Sequence, residues 1–360
     1  MAKFLHIADL HLSTGERDYS LAVLEEIVSL AGEREVAYLL MAGDIFNSFE
    51  DAESLRTEFR TIIERLPPYC EALFLPGNHE TLGRGKGELG SLDLGRVTLL
   101  EEEPFSLVSG EGVEFLALPH QKDYRDYQKW QVPPRGNVPR IALAHGVVPG
   151  LSFSGPDDET GGAVLDPDIF SRFQVDYAAL GHIHSGRQER LGDTLLAYPG
   201  SARVWRRGEL GCRSALLCDL KEKPLTTEKV CLKTAGRYLE YTLALSLEGE
   251  AEDLDREAAA WQGPDWITLR FSGLVENEKS VSELDRTFRR RFEKRVRKLD
   301  IERDSVTVLP GISSQPLAKK FLTLWKSLEP DSHQGHDSLV WHRVRELALA
   351  EIKETLESRK

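Results

Sequence analysis

The chain has 360 residues, a net charge of −13 and a hydrophobic fraction of 41%, which suits an ordinary globular protein with room for two or three domains. The acidic balance argues against a protein that coats DNA non-specifically, because phosphate binding needs local Lys and Arg. It leaves room for a nuclease whose metal ions supply positive charge locally.

The opening run Phe4-Leu5-His6-Ile7 is too short and too polar for a signal sequence, and no stretch has the length of a membrane span. The expectation is a cytoplasmic protein with no membrane contact. Lys3 to Ala8 reads as a buried strand that runs into Asp9-Leu10-His11. Tyr19 to Leu30 carries Leu21, Val23, Leu24, Ile27 and Val28 at helical spacing. Val36 to Ala42 is a second strand ending at Gly43-Asp44, and Leu55 to Leu66 a second helix stopped by Pro67-Pro68. Ala72 to Leu75 is a third strand, ending at Pro76-Gly77-Asn78-His79.

The same design recurs downstream. Ile141 to Ala144 runs into His145-Gly146, Tyr177 to Leu180 into Gly181-His182-Ile183-His184, and Leu195 to Tyr198 into Pro199-Gly200-Ser201. Strand-like segments without helices lie between and after these: Pro104 to Val108, Val113 to Leu118, Arg213 to Leu220 and Leu225 to Leu232. Such mixed order predicts an α/β domain of two stacked mixed β-sheets flanked by helices, spanning 1–234. Gly155 to Gly162 reads as a loop. Cys70, Cys212, Cys218 and Cys231 lack CxxC spacing and are expected as strand-core thiols, neither zinc ligands nor disulfides.

Composition shifts at Thr234-Ala235-Gly236. Residues 235–309 read as a small α/β cap domain in the order strand, helix, strand, helix, strand. Its long helix is expected from Ser280 to Leu299, opened by the capping box Ser280-x-x-Glu283 and striped by Val281, Leu284, Phe288, Phe292, Val296 and Leu299. Residues 310–360 form a helical C-terminal tail of two helices, parted by the loop Pro330 to Asp337.

The chemistry lies in five elements: Asp-x-His at Asp9 and His11, Gly-Asp at Asp44, Gly-Asn-His-Glu at Asn78 and His79, His-Gly at His145, and Gly-His-x-His at His182 and His184. Each follows an apolar strand, where ligands gather in an open α/β sheet. An isolated Asp or Asn there is usually a turn or cap residue, and His120, His333, His336 and His342 are read as such bystanders. The full set is another matter. A phosphodiester is anionic and repels hydroxide; two divalent ions roughly 4 Å apart neutralise that charge, activate a water and stabilise the leaving oxygen. Carboxylate and imidazole donors without thiolate suit manganese, iron or zinc.

These elements resemble the calcineurin-like metallophosphoesterase superfamily. His6-Ile7-Ala8-Asp9-Leu10-His11-Leu12, Ala42-Gly43-Asp44-Ile45-Phe46 and Tyr198-Pro199-Gly200-Ser201 resemble its SbcD-type DNA-repair exonuclease branch in particular. The resemblance implies two divalent ions, Mn2+ first, with Fe2+ or Zn2+ as alternatives. Asp9, His11 and His184 would hold one, and Asn78, His145 and His182 the other, with Asp44 bridging. His79 would be the catalytic histidine, and Glu80 would orient it or a ligand, or serve as a cap. Some relatives carry His or Asp where Asn47 stands here; Asn47 can contact a phosphate oxygen but cannot transfer a proton. Asn47-Ser48-Phe49 also replaces the Asp-Arg-Gly of serine/threonine phosphatases.

The implied activity is a manganese-dependent nuclease acting on DNA ends or hairpins within a repair complex. Arg203, Arg290 and Lys294 are further candidates for substrate contact, the last two on a basic helix whose bland reading is a solvated face. The tail helices would dock an SbcC-type coiled-coil ATPase or pack on one another, and a homodimer is possible. The competing readings are a small-molecule phosphodiesterase or phosphatase with the same metal pair, and a non-catalytic scaffold, which should have lost ligands.

Overall fold

The computed structural model describes residues 3–81, 88–121, 124–151, 163–251, 253–328 and 338–357. The expected loop 155–162 and the turn 330–337, with His333 and His336, lie outside them. The chain divides into two compact units, Met1–Arg237 and Tyr238–Lys360.

The first unit holds two six-stranded sheets. In one, the order is Thr227–Cys231, Ser214–Asp219, Lys3–Ile7, Tyr38–Ala42, Glu71–Leu75 and Val97–Leu99. In the other it is Ser106–Gly110, Val113–Leu118, Arg140–His145, Tyr177–Gly181, Thr194–Tyr198 and Arg187–Leu191. The strands that precede the motifs run parallel, so their carboxyl ends fall on one edge of each sheet.

Period-two alternation explains the stacking. Phe4, Tyr38, Leu40, Ile141, Leu143 and Tyr177 fill a core between the sheets. Their neighbours Leu5, Ile7, Leu39 and Met41 face the core shared with the helices Arg17–Glu33 and Phe49–Ile63. Ala142, Ala144, Ala178 and Leu180 face a third core, around the helix Asp168–Arg172. Strands buried on both faces read as unbroken apolar runs, which is why they stood out in sequence.

The differences have local causes. The second helix starts at Phe49, before Leu55, because Ser48 caps it by accepting the Asp51 amide. Arg187–Leu191 was not expected as a strand: all five residues are exposed, and it is held at the sheet edge by its ladder to Thr194–Tyr198. Cys70 and Cys218 are buried thiols, as expected, but Cys212 and Cys231 are joined as a disulfide, with Cα atoms 5.9 Å apart. Ser214 pairs with Cys231 in the ladder, a register that brings Cys212 alongside and that sequence spacing does not reveal.

In the second unit the expected order holds. Strands Arg237–Ala244, Trp266–Val275 and Lys298–Val308 pair in parallel, and helices Asp255–Ala258 and Glu278–Phe292 alternate with them. The long helix is shorter than expected. Asn277 caps it, accepting the Lys279 amide, where Ser280 was the expected cap. It ends at Phe292, and Val296 and Leu299 continue into the turn and the next strand; all three side chains enter one core, so the apolar stripe outruns the helix. The tail helices are Pro316–Ser327 and Ser338–Glu357. Ala318 and Leu349 pack with Leu247, Leu274 and Leu309, so the tail belongs to the second unit. No helix among the described residues is long and apolar enough to cross a membrane.

Arg140, 1% exposed, ties the second sheet to its surroundings. Its Nε donates to Glu114 (2.7 Å), Nη1 to the Phe173 carbonyl (2.6 Å) and Nη2 to the Pro133 carbonyl (2.7 Å). Arg140→Met should cost about 2–4 kcal/mol, since it strands these acceptors. A urea melt reads this directly; a loss under about 1 kcal/mol would mean that water replaces the guanidinium.

Candidate metal centre

Each ligand candidate sits where a parallel strand gives way to a turn, and the backbone is bent hard there. Asp9 (φ 53°), His11 (φ 47°), Asp44 (φ 51°) and His182 (φ 92°) all adopt the left-handed region. That conformation costs of order 1–3 kcal/mol for a residue with a Cβ and persists only where the surroundings enforce it. The enforcement is visible. Asp9 N donates to the Gly43 carbonyl (3.0 Å) and His11 N to the Asp44 carbonyl (2.9 Å). The Asp9 carboxylate accepts the His182 amide (3.0 Å), and Asp44 Oδ1 accepts the His79 amide (2.9 Å). The motif glycines make room: a Cβ at Gly43 would strike the His145 ring, and one at Gly77 would strike Asp44.

The side chains converge. His11 Nε2 and His184 Nε2 are 3.2 Å apart, with Asp9 Oδ1 3.9 Å from the latter. Asn78 Oδ1 lies 3.0 Å from His145 Nε2 and 3.2 Å from His182 Nδ1. Asp44 Oδ2 lies 3.2 Å from His145 Nε2 and 4.0 Å from His79 Nε2. Three overlapping groups could hold metal ions: Asp9 with His11 and His184, His11 with Asp44 and His79, and Asp44 with His145 and His182. All seven expected ligands are buried, whereas the His79 side chain remains 21% exposed and can meet a substrate.

Hydrogen bonds fix which nitrogen faces inward. His145 Nδ1–H donates to the Ala42 carbonyl (2.9 Å) and His79 Nδ1–H to the Asn47 carbonyl (2.8 Å). His184 Nδ1–H donates to Glu209 (2.6 Å). Because these partners are acceptors, Nε2 of each ring is left pointing into the site. Two imidazole Nε2 atoms 3.2 Å apart, as at His11 and His184, suit a shared cation better than each other. His11 Nδ1 is buried without a hydrogen-bond partner. The donor set therefore fits divalent ions.

Electrostatics agree. Burial pulls His182 down to about 3 and takes His11 well below its ordinary value, so both are neutral donors. Burial also opposes charge on His145, but the Asp44 carboxylate outweighs it and pushes that imidazole up to about 10. Asp44 is held far below the usual carboxylate range: burial opposes its charge, and His145, His11 and His79 overcome it.

Glu80 acts through the main chain. Its carboxylate accepts the backbone amides of Asp44 (3.1 Å), Phe46 (2.8 Å) and Gly77 (2.8 Å), binding two ligand-bearing turns together. Two expected substrate contacts have other partners. Arg203 is 1% exposed and donates to the Leu10 and His11 carbonyls and to Glu16, holding the turn beneath His11. Asn47 Oδ1 accepts Trp205 Nε1–H (3.1 Å), and its Nδ2 donates to Asp51 (3.4 Å). Arg290 and Lys294 lie exposed in the second unit, and among the described residues neither has an ion-pair partner.

The sequence reading missed Trp205 and Glu209, which follow Pro199-Gly200-Ser201 with no periodic or ligand spacing to mark them. Trp205 lies flat on His11, centroids 4.0 Å apart. His120, set aside as a bystander, packs edge-on against His145 at 6.3 Å.

A family model, "Calcineurin-like phosphoesterase", matches residues 2–186. The chain is 26% identical over 224 residues to the DNA double-strand break repair protein Mre11 of Methanocaldococcus jannaschii, covering 57% of this chain and 58% of that protein. It is 25% identical over 225 residues to the protein of the same name from Thermoplasma acidophilum, covering 57% of each. The chain thus spans somewhat over half the length of the curated relatives it matches. Among solved structures, a dimetal phosphatase from Danio rerio aligns with a TM-score of 0.44 at 12% identity, over 64% of this chain and 99% of that one.

His145 supplies a pH test. Its value in the metal-free fold is raised from 6.5 to about 10, so at neutral pH it carries a proton that an incoming ion must displace. Metal affinity should therefore rise with pH, by up to about tenfold per unit, with about one proton released per ion bound there. Calorimetry in buffers of different ionisation enthalpy counts that proton; none released would mean that His145 is neutral before loading.

Proposed function

We propose, from the premise that the chain belongs to the calcineurin-like phosphoesterase family, that it is a manganese-dependent DNA nuclease acting on ends or hairpins. The observation that carries the hydrolytic reading is His79: a partly exposed imidazole with its tautomer set, Nε2 directed to a buried cluster of seven oxygen and nitrogen donors. In this reading Asp9, His11 and His184 would hold one ion and Asn78, His145 and His182 the other, with Asp44 available to both. A bound metal pair would supply charge neutralisation for the phosphodiester, water activation and stabilisation of the leaving oxygen. Manganese suits this donor set, as do iron and zinc.

The chain's own residues do the rest. His79 Nδ1–H is committed to the Asn47 carbonyl, so Nε2 orients a phosphate oxygen or passes a proton to the leaving oxygen. Asp44 accepts the His79 amide, which fixes the histidine's backbone to the metal cluster. Trp205 closes one wall against His11 and His79.

Two features favour DNA as substrate. The relatives named above are DNA-break repair proteins. In an otherwise acidic chain, Arg290 and Lys294 stand exposed four residues apart, while Arg289 and Arg291 are engaged by Asp285, Asp253 and Asp255. Exposed Leu317, Leu324, Val340, Val344 and Leu347 on the tail helices support docking of an SbcC-type coiled-coil ATPase.

His79→Ala should keep its metal and lose about 10²–10⁴-fold in turnover. The assay compares manganese-dependent cleavage of duplex, single-stranded and hairpin DNA with hydrolysis of bis-p-nitrophenyl phosphate. Hydrolysis of the small diester with no DNA cleavage, even with an ATPase partner added, would defeat the nuclease reading. Arg290→Glu combined with Lys294→Glu should weaken DNA binding and flatten the salt dependence by about two in log–log slope; an unchanged slope would mark a merely solvated face.

A further inference from the structure

We infer that Glu209 is the positioning residue for one of the two metal sites, the one built from Asp9, His11 and His184; the inference rests on the metal-centre reading above. Glu209 is 4% exposed and divides its two oxygens between two tasks. Oε1 accepts His184 Nδ1–H at 2.6 Å. Oε2 accepts the amides of Trp205 (2.9 Å) and Arg206 (3.3 Å). Arg213 Nη1 stands 3.9 Å from Oε2 and Arg206 Nε 3.8 Å from Oε1, so the buried carboxylate sits between two guanidinium groups.

The consequence for His184 is chemical. An ionised carboxylate only accepts, so the ring proton must sit on Nδ1 and the lone pair on Nε2. A negative partner on the far nitrogen also makes Nε2 a stronger donor to a cation. The comparison lies within the same site. His145, on the other side, leans on the neutral carbonyl of Ala42. Only His184, among the imidazoles whose far nitrogen has a partner described above, leans on a charge. Glu209 therefore strengthens the two ions unequally.

The second task ties the first to the pocket wall. The amides that Oε2 holds fix Trp205, whose ring lies parallel to His11 (8°) and edge-on to His184 at 5.1 Å. One carboxylate thus sets a ligand's tautomer and seats the ring that backs a second ligand of the same ion.

The test is manganese titration of the full chain, followed by electron paramagnetic resonance, for wild type, Glu209→Gln and Glu209→Ala. Wild type should give the spin-coupled spectrum of paired ions at stoichiometric metal. Glu209→Gln keeps the size of the side chain and can still accept the loop amides with its oxygen. Its NH2 then faces His184 Nδ1 and drives the ring proton to Nε2, which blocks ligation. Both variants should show uncoupled single ions at stoichiometric metal and recover coupling only at about 10–100-fold higher manganese. The affinity for the first ion should stay within about twofold, a selectivity that a general loosening of the pocket would not give. A coupled spectrum at the wild-type metal ratio in Glu209→Gln would overturn the assignment, as would equal weakening of both ions. Should wild type itself never show coupling, the metal-pair reading fails, and that outcome is distinct from a failure of Glu209.

Discussion

Burying Asp44 is the constraint around which the first unit is arranged. A carboxylate taken out of water costs several kcal/mol unless charge and hydrogen bonds replace the solvent. Here it is fully buried with His145 at 3.2 Å and the His79 amide on its other oxygen. Asp9, Glu80 and Glu209 are buried nearby on the same terms. Main-chain amides satisfy each: Asp9 takes His182 from another turn, Glu80 takes Asp44 and Phe46 from another turn and Gly77 from its own, and Glu209 takes Trp205 and Arg206 from its own while reaching His184. The carboxylates that gather charge for the site are also the staples between its turns. Asp9 links a turn of the first sheet to a turn of the second.

This double use accounts for the backbone. Four ligand residues in the left-handed region would be a costly way to end strands if the turns were free. They are not free: parallel register carries the strands to one edge, and the amide bonds to buried carboxylates hold the turns there. The glycines follow from the same crowding. Gly43 and Gly77 pass so close to His145 and Asp44 that no side chain fits. Placing the ligand candidates on strand ends rather than long loops gives the precision that a metal site would demand.

What the sequence made legible is what repeats. Buried strands read as apolar runs, and a polar residue immediately after such a run is conspicuous, so Asp9, Asp44, Asn78, His145 and His182 could be picked out. Glu209 and Trp205 follow no strand and match no spacing; they enter the site because a turn after Ser201 folds back, a tertiary event. Arg203 was legible only as a positive charge near a motif. Whether such a charge faces substrate or a carbonyl cage depends on burial, and at 1% exposure it caps the His11 turn. The Cys212–Cys231 pair and the helix stop at Phe292 fail for one reason: register and termination are set by neighbours, while composition and periodicity report only the chain's own preference.

Asn47 shows how a departure from pattern can be absorbed. The resemblance sets His or Asp at this place in some relatives, beside the imidazole proposed as catalytic. Here the main-chain carbonyl of Asn47 receives His79 Nδ1–H at 2.8 Å. A carbonyl always accepts and never titrates, so His79 keeps one tautomer whatever side chain stands at 47. The side chain is then released for packing. Its oxygen takes Trp205 Nε1–H and its nitrogen reaches Asp51, which itself caps the turn at Thr14 and the helix at Ser48. In this chain the Asn47 side chain holds the wall that covers His11. Among the seven ligand candidates and His79, all of them described residues, His79 is the one left partly exposed.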